Sequence, residues 1–135
     1  MAALLHKLLL ESIDDMPALP VFFQNCQRAM RLSPQNLAEL NIIADEVVSN
    51  IFLHNSRSVE VLLMLCKKGR KINLRVEDTG KPFDFLRAPE VQVDLPLKDR
   101  QIGGLGILLI RRLSDEIRYC YDCQKNRLTI IKQIH

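Results

Sequence analysis

"SPQNLAELNIIADEVVSNIFLHN", residues 33–55, decides how the rest of the chain must be arranged. Leu37, Leu40, Ile43, Ala44, Val47, Val48 and Ile51 recur at intervals of three and four, the period of one helix face. Ser33 is placed to cap the first turn. Pro34 falls at the first helical position, where a missing N–H is harmless. A helix this long with one apolar stripe needs an apolar surface to cover it, and the flanking sequence offers a sheet.

Upstream, "MPALPVFFQNCQRAMRL" (16–32) reads as a second helix beginning after Pro20, and "LLHKLLLESI" (4–13) fits strand or helix by periodicity alone. Downstream, "VEVLLMLCKK" and "KINLRVED" are strands joined by a short turn at Gly69–Arg70, an antiparallel hairpin. Residues 79–103, with Pro82, Pro89 and Pro96, read as a long irregular connection, of the kind that is usually functional or mobile. "GLGILLIRRLS" predicts a third helix, and "DEIRYCYD" with "NRLTIIKQI" a closing hairpin. Strand, two helices, hairpin, loop, helix, hairpin is an α+β order. It predicts a two-layer α/β sandwich, a mixed, mostly antiparallel sheet with helices on one face. With 135 residues, the expectation is a single domain over 1–135.

Composition narrows the function classes. The chain is 47% hydrophobic and 26% charged, which is ordinary for a globular protein and gives no sign of disorder. A net charge of +3 is mild, and the densest basic stretch, "CKKGRK" (66–71), reads as a hairpin turn with solvated lysines. No basic cluster with interleaved aromatics supports nucleic-acid binding, so no nucleic-acid partner is expected. "MAALLHKLLL" is broken by His6 and Lys7, and no apolar run reaches the ~18 residues of a membrane span. No membrane association and a cytoplasmic location are the expectations. Of the four cysteines, Cys120 and Cys123 form a single C-x-x-C, weak evidence for zinc or redox chemistry. On a strand, alternation would send the two to opposite faces.

Some polar and glycine positions are not explained by packing. Glu46 and Asn50 are four apart on the long helix, so they share a face about 6 Å apart along its axis. His54 extends the row by one turn and reads as a helix-end or packing histidine. In "VEDTGKPFDF" (76–85), Asp78 ends a strand, where a carboxylate can accept a hydrogen bond from an exocyclic amine. Gly80 would let a flat ring approach the backbone. A plain D-T-G turn is the competing reading. "IGGLGILLIRRLSDE" (102–116) places Gly103, Gly104 and Gly106 at a helix start, where bare N–H groups and the helix dipole suit phosphate. Close helix packing or a flexible hinge is the alternative. No Gly-Lys-Ser/Thr follows, and Leu109 stands where the third glycine of a dinucleotide fingerprint would fall.

In order, a helix bearing E-x-x-x-N, a strand ending in D-x-G and a segment ending in G-G-L-G resemble the three nucleotide-binding boxes of the gyrase, histidine-kinase and MutL ATPase superfamily, the Bergerat fold. "ADEVVSNIFLHN", "DTGKPFDF" and "DRQIGGLGILLIRRLSDEIRY" narrow the resemblance: they look like the bacterial anti-sigma-factor serine/threonine kinases of the partner-switching type, over roughly residues 20 to 134. The resemblance implies ATP and Mg²⁺ as cofactors, with Asn50 holding the metal through its amide oxygen. It implies Glu46 as the base that polarises the attacking hydroxyl. Asp78 would receive the adenine amine, with Gly80 admitting the ring. Pro82, Phe83 and Asp84 match the family's P-F-D at the start of an ATP lid over 80–103, although Phe85 stands where a proline is commoner. Gly103, Gly104, Leu105 and Gly106 would wrap the triphosphate, and Arg100 would neutralise charge on the terminal phosphate or lie solvated in the lid.

The implied activity is a protein serine/threonine kinase that phosphorylates an anti-sigma-factor antagonist protein. The same resemblance implies that it holds a sigma factor or another effector in the alternate state, and that it is a homodimer. Two alternatives stay open. One is a partner-binding module that uses ATP as a switch without phosphorylating anything. The other is a stand-alone histidine-kinase ATPase domain.

Overall fold

A computed structural model describes residues 4–84, 86 and 104–134. The ambiguous N-terminal segment is a strand, β1 (Leu4–Leu10), followed by a single 3₁₀ turn at Ile13–Asp15. Helix α1 (Ala18–Met30) begins three residues ahead of the expected start after Pro20. Pro20 falls in the first turn, where N–H groups have no intrahelical partner, so the ring interrupts no hydrogen bond. Helix α2 (Pro34–His54) runs 21 residues, and Ser33 caps it by accepting from the Asn36 N–H at 3.0 Å. At its far end the Asn55 side chain donates to the Ile51 carbonyl at 2.7 Å, taking the place of a continuing helical N–H.

Strands β2 (Val61–Lys68) and β3 (Lys71–Asp78) turn at Gly69, whose φ of 62° lies in the left-handed region that glycine adopts without strain. After helix α3 (Gly104–Leu113), β4 (Glu116–Asp122) and β5 (Lys125–Gln133) close the chain. The strand order is β1-β2-β3-β5-β4 and all four pairings are antiparallel, the fully antiparallel limit of the expected mixed sheet. Cys123 does not sit on a strand. It forms the β4–β5 turn with Gln124, both at positive φ, so the expected placement of Cys120 and Cys123 on opposite strand faces does not apply. All four cysteines are free thiols.

One face of the sheet supplies the core. Val61, Leu63, Leu65, Ile72, Leu74, Val76, Leu128 and Ile130 alternate inward against Phe23, Leu40, Ile43, Val47, Val48 and Ile110 from the three helices. Truncating such a fully buried Leu or Ile to Ala costs about 2–5 kcal/mol. Helix α2 packs against both α1 and α3, so its Glu46–Asn50–His54 row lies along the margin of the core. Lys132 continues the inward phase of β5 yet is charged. Its Nζ pairs with Glu39 Oε2 of α2 at 2.6 Å and donates to the Leu113 carbonyl at the end of α3, tying sheet and helix layer together. No helix among the described residues is long and apolar enough to cross a membrane.

Candidate functional site

The antiparallel register of β3 with β5 sets Asp78 opposite Asn126. Both are buried, at 6% and 5% exposure, although both are polar. Asp78 Oδ1 accepts from the Gly80 N–H at 2.9 Å and from Asn126 Nδ2 at 3.0 Å. Asn126 Nδ2 also donates to the Lys81 carbonyl at 2.8 Å, and more weakly to that of Gly80 at 3.3 Å. Its Oδ1 accepts from the Phe83 N–H at 3.0 Å and from the Tyr119 hydroxyl. One side chain therefore orients the carboxylate, closes the turn after β3 and holds the first residues of the next segment. Burial raises the Asp78 carboxyl above the ordinary aspartate range, against the opposing pull of the Asn126 and Gly80 hydrogen bonds.

Across a cleft from this pair stands the last part of α2. Asn50, Ile51, His54 and Asn55 form one wall, and Asp78, Lys81, Phe83, Tyr119 and Asn126 line the rest, with Val47, Val76 and Leu128 beneath. Asn50 is buried and spends its Nδ2 on the Glu46 carbonyl at 2.8 Å, which leaves the amide oxygen as its remaining polar atom. A single hard oxygen suits Mg²⁺, which takes one or two protein ligands and completes its octahedron with phosphate oxygens and water. Asp78 likewise receives both of its hydrogen bonds on Oδ1, so among the described residues Oδ2 remains an acceptor without a donor. Phe83 stacks on His54, with ring centroids 4.8 Å apart and planes 24° apart, and so carries the aromatic wall across to α2.

Sequence reasoning and geometry agree in part. Asn50, Asp78 and Phe83 do line one cleft. Gly80 lies beside it, but its nearest neighbour is Asn55: an added Cβ would fall 2.6–2.9 Å from the Asn55 amide. Glu46 is half-buried and does not line this cleft. Its carboxylate leans instead against Gly106 of α3, where an added Cβ would come within 3.1 Å of Glu46 Cδ and closer still to Oε2. That close contact fits the packing alternative weighed for the glycine cluster at Gly106. Gly104 and Leu105 open α3; Arg100, Gly103, Phe85 and most of the expected lid lie outside the described residues. Arg111 donates to the Leu86 carbonyl at 2.9 Å, linking α3 to the segment that leaves the cleft.

Asn126, Tyr119 and Asn55 escaped sequence reasoning. A signal for the first was present: Asn126 shares the inward phase of Leu128 and Ile130, and a polar residue on a core face asks for a polar partner.

Helices laid over one face of an antiparallel sheet, with a polar cleft at the end of its central strands, define a Bergerat-type α+β ATPase fold. Residues 11–132 match the histidine kinase-like ATPase domain, and the chain belongs to that family. It is similar to the serine/threonine-protein kinase BtrW of Bordetella bronchiseptica, with 29% identity over 94 residues, covering 67% of this chain and 66% of that protein. The serine-protein kinase RsbW of Listeria monocytogenes is similar at 29% identity over 97 residues, 67% of this chain and 62% of that protein. The chain thus spans less than two thirds of the length of these relatives.

Proposed function

We propose that this chain is an anti-sigma-factor-type protein serine/threonine kinase, which binds ATP with Mg²⁺ and phosphorylates a small antagonist protein in a partner switch. The observation that carries the reading is the pair of oxygens in one cleft that have no donor among the described residues, Asp78 Oδ2 and Asn50 Oδ1. The first accepts the 6-amino group of adenine and repels the 6-oxo group of guanine. The second holds Mg²⁺, which supplies charge neutralisation at the phosphates when bound. The names of the similar proteins, a serine/threonine-protein kinase and a serine-protein kinase, support the same class.

In this reading the chain is one domain over 1–135 with a lid over 80–103. Gly103, Gly104 and Leu105 meet the phosphates, Gly106 follows them with its bare backbone turned to Glu46, and Arg100 neutralises the terminal phosphate. Phe83, anchored by Asn126 and stacked on His54, sets where the lid leaves the cleft. Glu46 orients the acceptor hydroxyl and takes its proton. Unphosphorylated antagonist competes with a sigma factor or other effector for a cytoplasmic homodimer.

Incubating the purified protein with γ-labelled ATP, Mg²⁺ and the small proteins encoded beside its gene tests transfer. Label on a serine or threonine of one of them is expected; its absence from all of them in the presence of tight ATP binding counts against kinase activity. One observation favours binding without transfer, namely that Glu46 lies outside the cleft that Asn50 and Asp78 line. Glu46→Ala and Asn50→Ala separate the two. A kinase loses transfer in the first while still binding nucleotide; a switch keeps partner binding in the first and loses its nucleotide dependence in the second.

A further inference from the structure

Gly106 lies within α3, buried, at a position whose backbone makes no demand for glycine, since its φ is not positive. Glycine in a helix is a poorer choice than alanine. What an alanine would meet first there is one residue. The three nearest heavy atoms to an added Cβ all belong to Glu46: Oε2, Cδ at 3.1 Å and Cβ at 3.4 Å. Glu46 in turn has few other restraints. Its backbone carbonyl accepts from Asn50 and Ser49, but among the described residues its carboxylate receives no hydrogen bond and forms no ion pair. The direction of that carboxylate is set by packing against a helix that lacks a side chain at this point.

We infer that Gly106 is a positioning residue for Glu46, and that its missing side chain fixes where the carboxylate stands between α2 and α3. The inference rests on the reading of Glu46 as the base in phosphoryl transfer. A methyl group at 106 meets the far end of a flexible side chain, so the fold accommodates it by turning the carboxylate aside. The damage then falls on transfer and not on nucleotide capture, because a reacting group displaced by about 1 Å loses on the order of 100-fold in rate.

Gly106→Ala, Glu46→Ala and the double variant, each in the full chain, test this. Calorimetry reads Mg²⁺–ATP affinity, ADP formation at saturating Mg²⁺–ATP reads turnover, and thermal unfolding reads Tm. Gly106→Ala is expected to bind within about threefold of wild type while its turnover falls by about tenfold or more, and the double variant is expected to turn over no more slowly than Glu46→Ala. Alanine at 106 is also expected to raise Tm more in the Glu46→Ala background, where the space is vacated and helix propensity is unopposed. Two outcomes overturn the inference: affinity lost by about tenfold with saturated turnover intact, which assigns the glycine to the nucleotide, or equal Tm shifts in the two backgrounds. A Glu46→Ala variant as fast as wild type removes the base assignment and this inference with it. A slow Glu46→Ala beside a fully active Gly106→Ala overturns the inference alone.

Discussion

Asp78 and Asn126 are register partners across β3 and β5, and the amide of the second is committed to aiming the carboxylate of the first. Because Asn126 also holds Lys81 through its Nδ2 and Phe83 through its Oδ1, the proposed adenine-reading group and the root of the proposed lid share one support. The two are therefore mechanically coupled. A change at Asn126 reaches both ends of the proposed nucleotide site at once.

Asn126→Ala removes the donor to Asp78 and leaves the Phe83 N–H and the Lys81 carbonyl without their partner. A buried group deprived of its hydrogen bond costs about 1–3 kcal/mol, so urea unfolding is expected to show a loss of about 2 kcal/mol. ATP affinity, read by calorimetry under conditions where the variant is folded, is expected to fall by about tenfold. Asn126→Asp is expected to be worse for binding, because it sets a second acid against Asp78.

The raised pKa of Asp78 gives a pH dependence with a defined sign. Burial favours its neutral form, so on acidification it takes up a proton at a higher pH than a free aspartate. A protonated Asp78 no longer offers a pure acceptor to the 6-amino group. As pH falls, ATP affinity is therefore expected to start dropping while still above the ordinary aspartate range, and Asp78→Asn is expected to bind weakly with that pH dependence gone. For stability the direction is opposite: a raised carboxyl pKa means that the folded state binds the extra proton. That contribution is present below the unfolded pKa and is lost as pH rises through the folded one. Calorimetric titrations of wild type and Asp78→Asn across the acid range check the first, and urea midpoints the second.

How much of this could be read from residues alone follows from the range of the interactions involved. Local signals served well. Ser33, Pro34 and the periodic apolar positions gave α2 its start and its buried face, and strand alternation with Gly69 gave the β2–β3 hairpin. Asp78 and Asn50 were legible because their residue types are odd at the end of a strand and near the edge of an apolar stripe. The neighbours of the glycines were not legible. A glycine announces that something comes close, but what comes close is decided by contacts distant in the chain. At Gly80 it is Asn55, 25 positions earlier, and at Gly106 it is Glu46, 60 positions earlier. The Asn126 hub was hidden for the same reason, since pairing of β3 with β5 spans α3 and the whole connecting segment.

Gly80 provides a direct check on such packing. An alanine there would place a methyl 2.6–2.9 Å from the Asn55 amide, which is held by the Ile51 carbonyl and accepts from the Lys81 N–H at 3.3 Å. Gly80→Ala is expected to destabilise by about 1–3 kcal/mol through overpacking and to weaken ATP binding by shifting the turn after Asp78. Asn55→Ala in the same chain removes the obstructing amide. The double variant is thus expected to lose less than the sum of the single changes in urea unfolding. Strict additivity would show that the two positions do not touch.

The last prediction concerns the far end of the helix layer, where Lys132 stands on the inward face of β5 among Leu128, Ile130 and Ile134. Burial alone would raise the Glu39 carboxyl, yet its hydrogen bonds from Lys132 and Gln35 hold it below the usual glutamate range. Lys132→Met suits the apolar phase of the strand but strips Glu39 and the Leu113 carbonyl of their donor. Breaking a buried pair costs about 3–5 kcal/mol; because Glu39 is partly open to water, the expected loss is lower, about 2 kcal/mol at neutral pH. With a lowered folded pKa, the contribution of Glu39 is present above its unfolded pKa and is lost as pH falls through the folded one. The gap in urea midpoint between wild type and Lys132→Met is accordingly expected to narrow in acid. Glu39→Met added to Lys132→Met is expected to recover much of the neutral-pH loss, because an apolar pair satisfies the site without a stranded charge. A variant gap that stayed constant across the acid range would mean that the ion pair is not what joins α2 to the sheet.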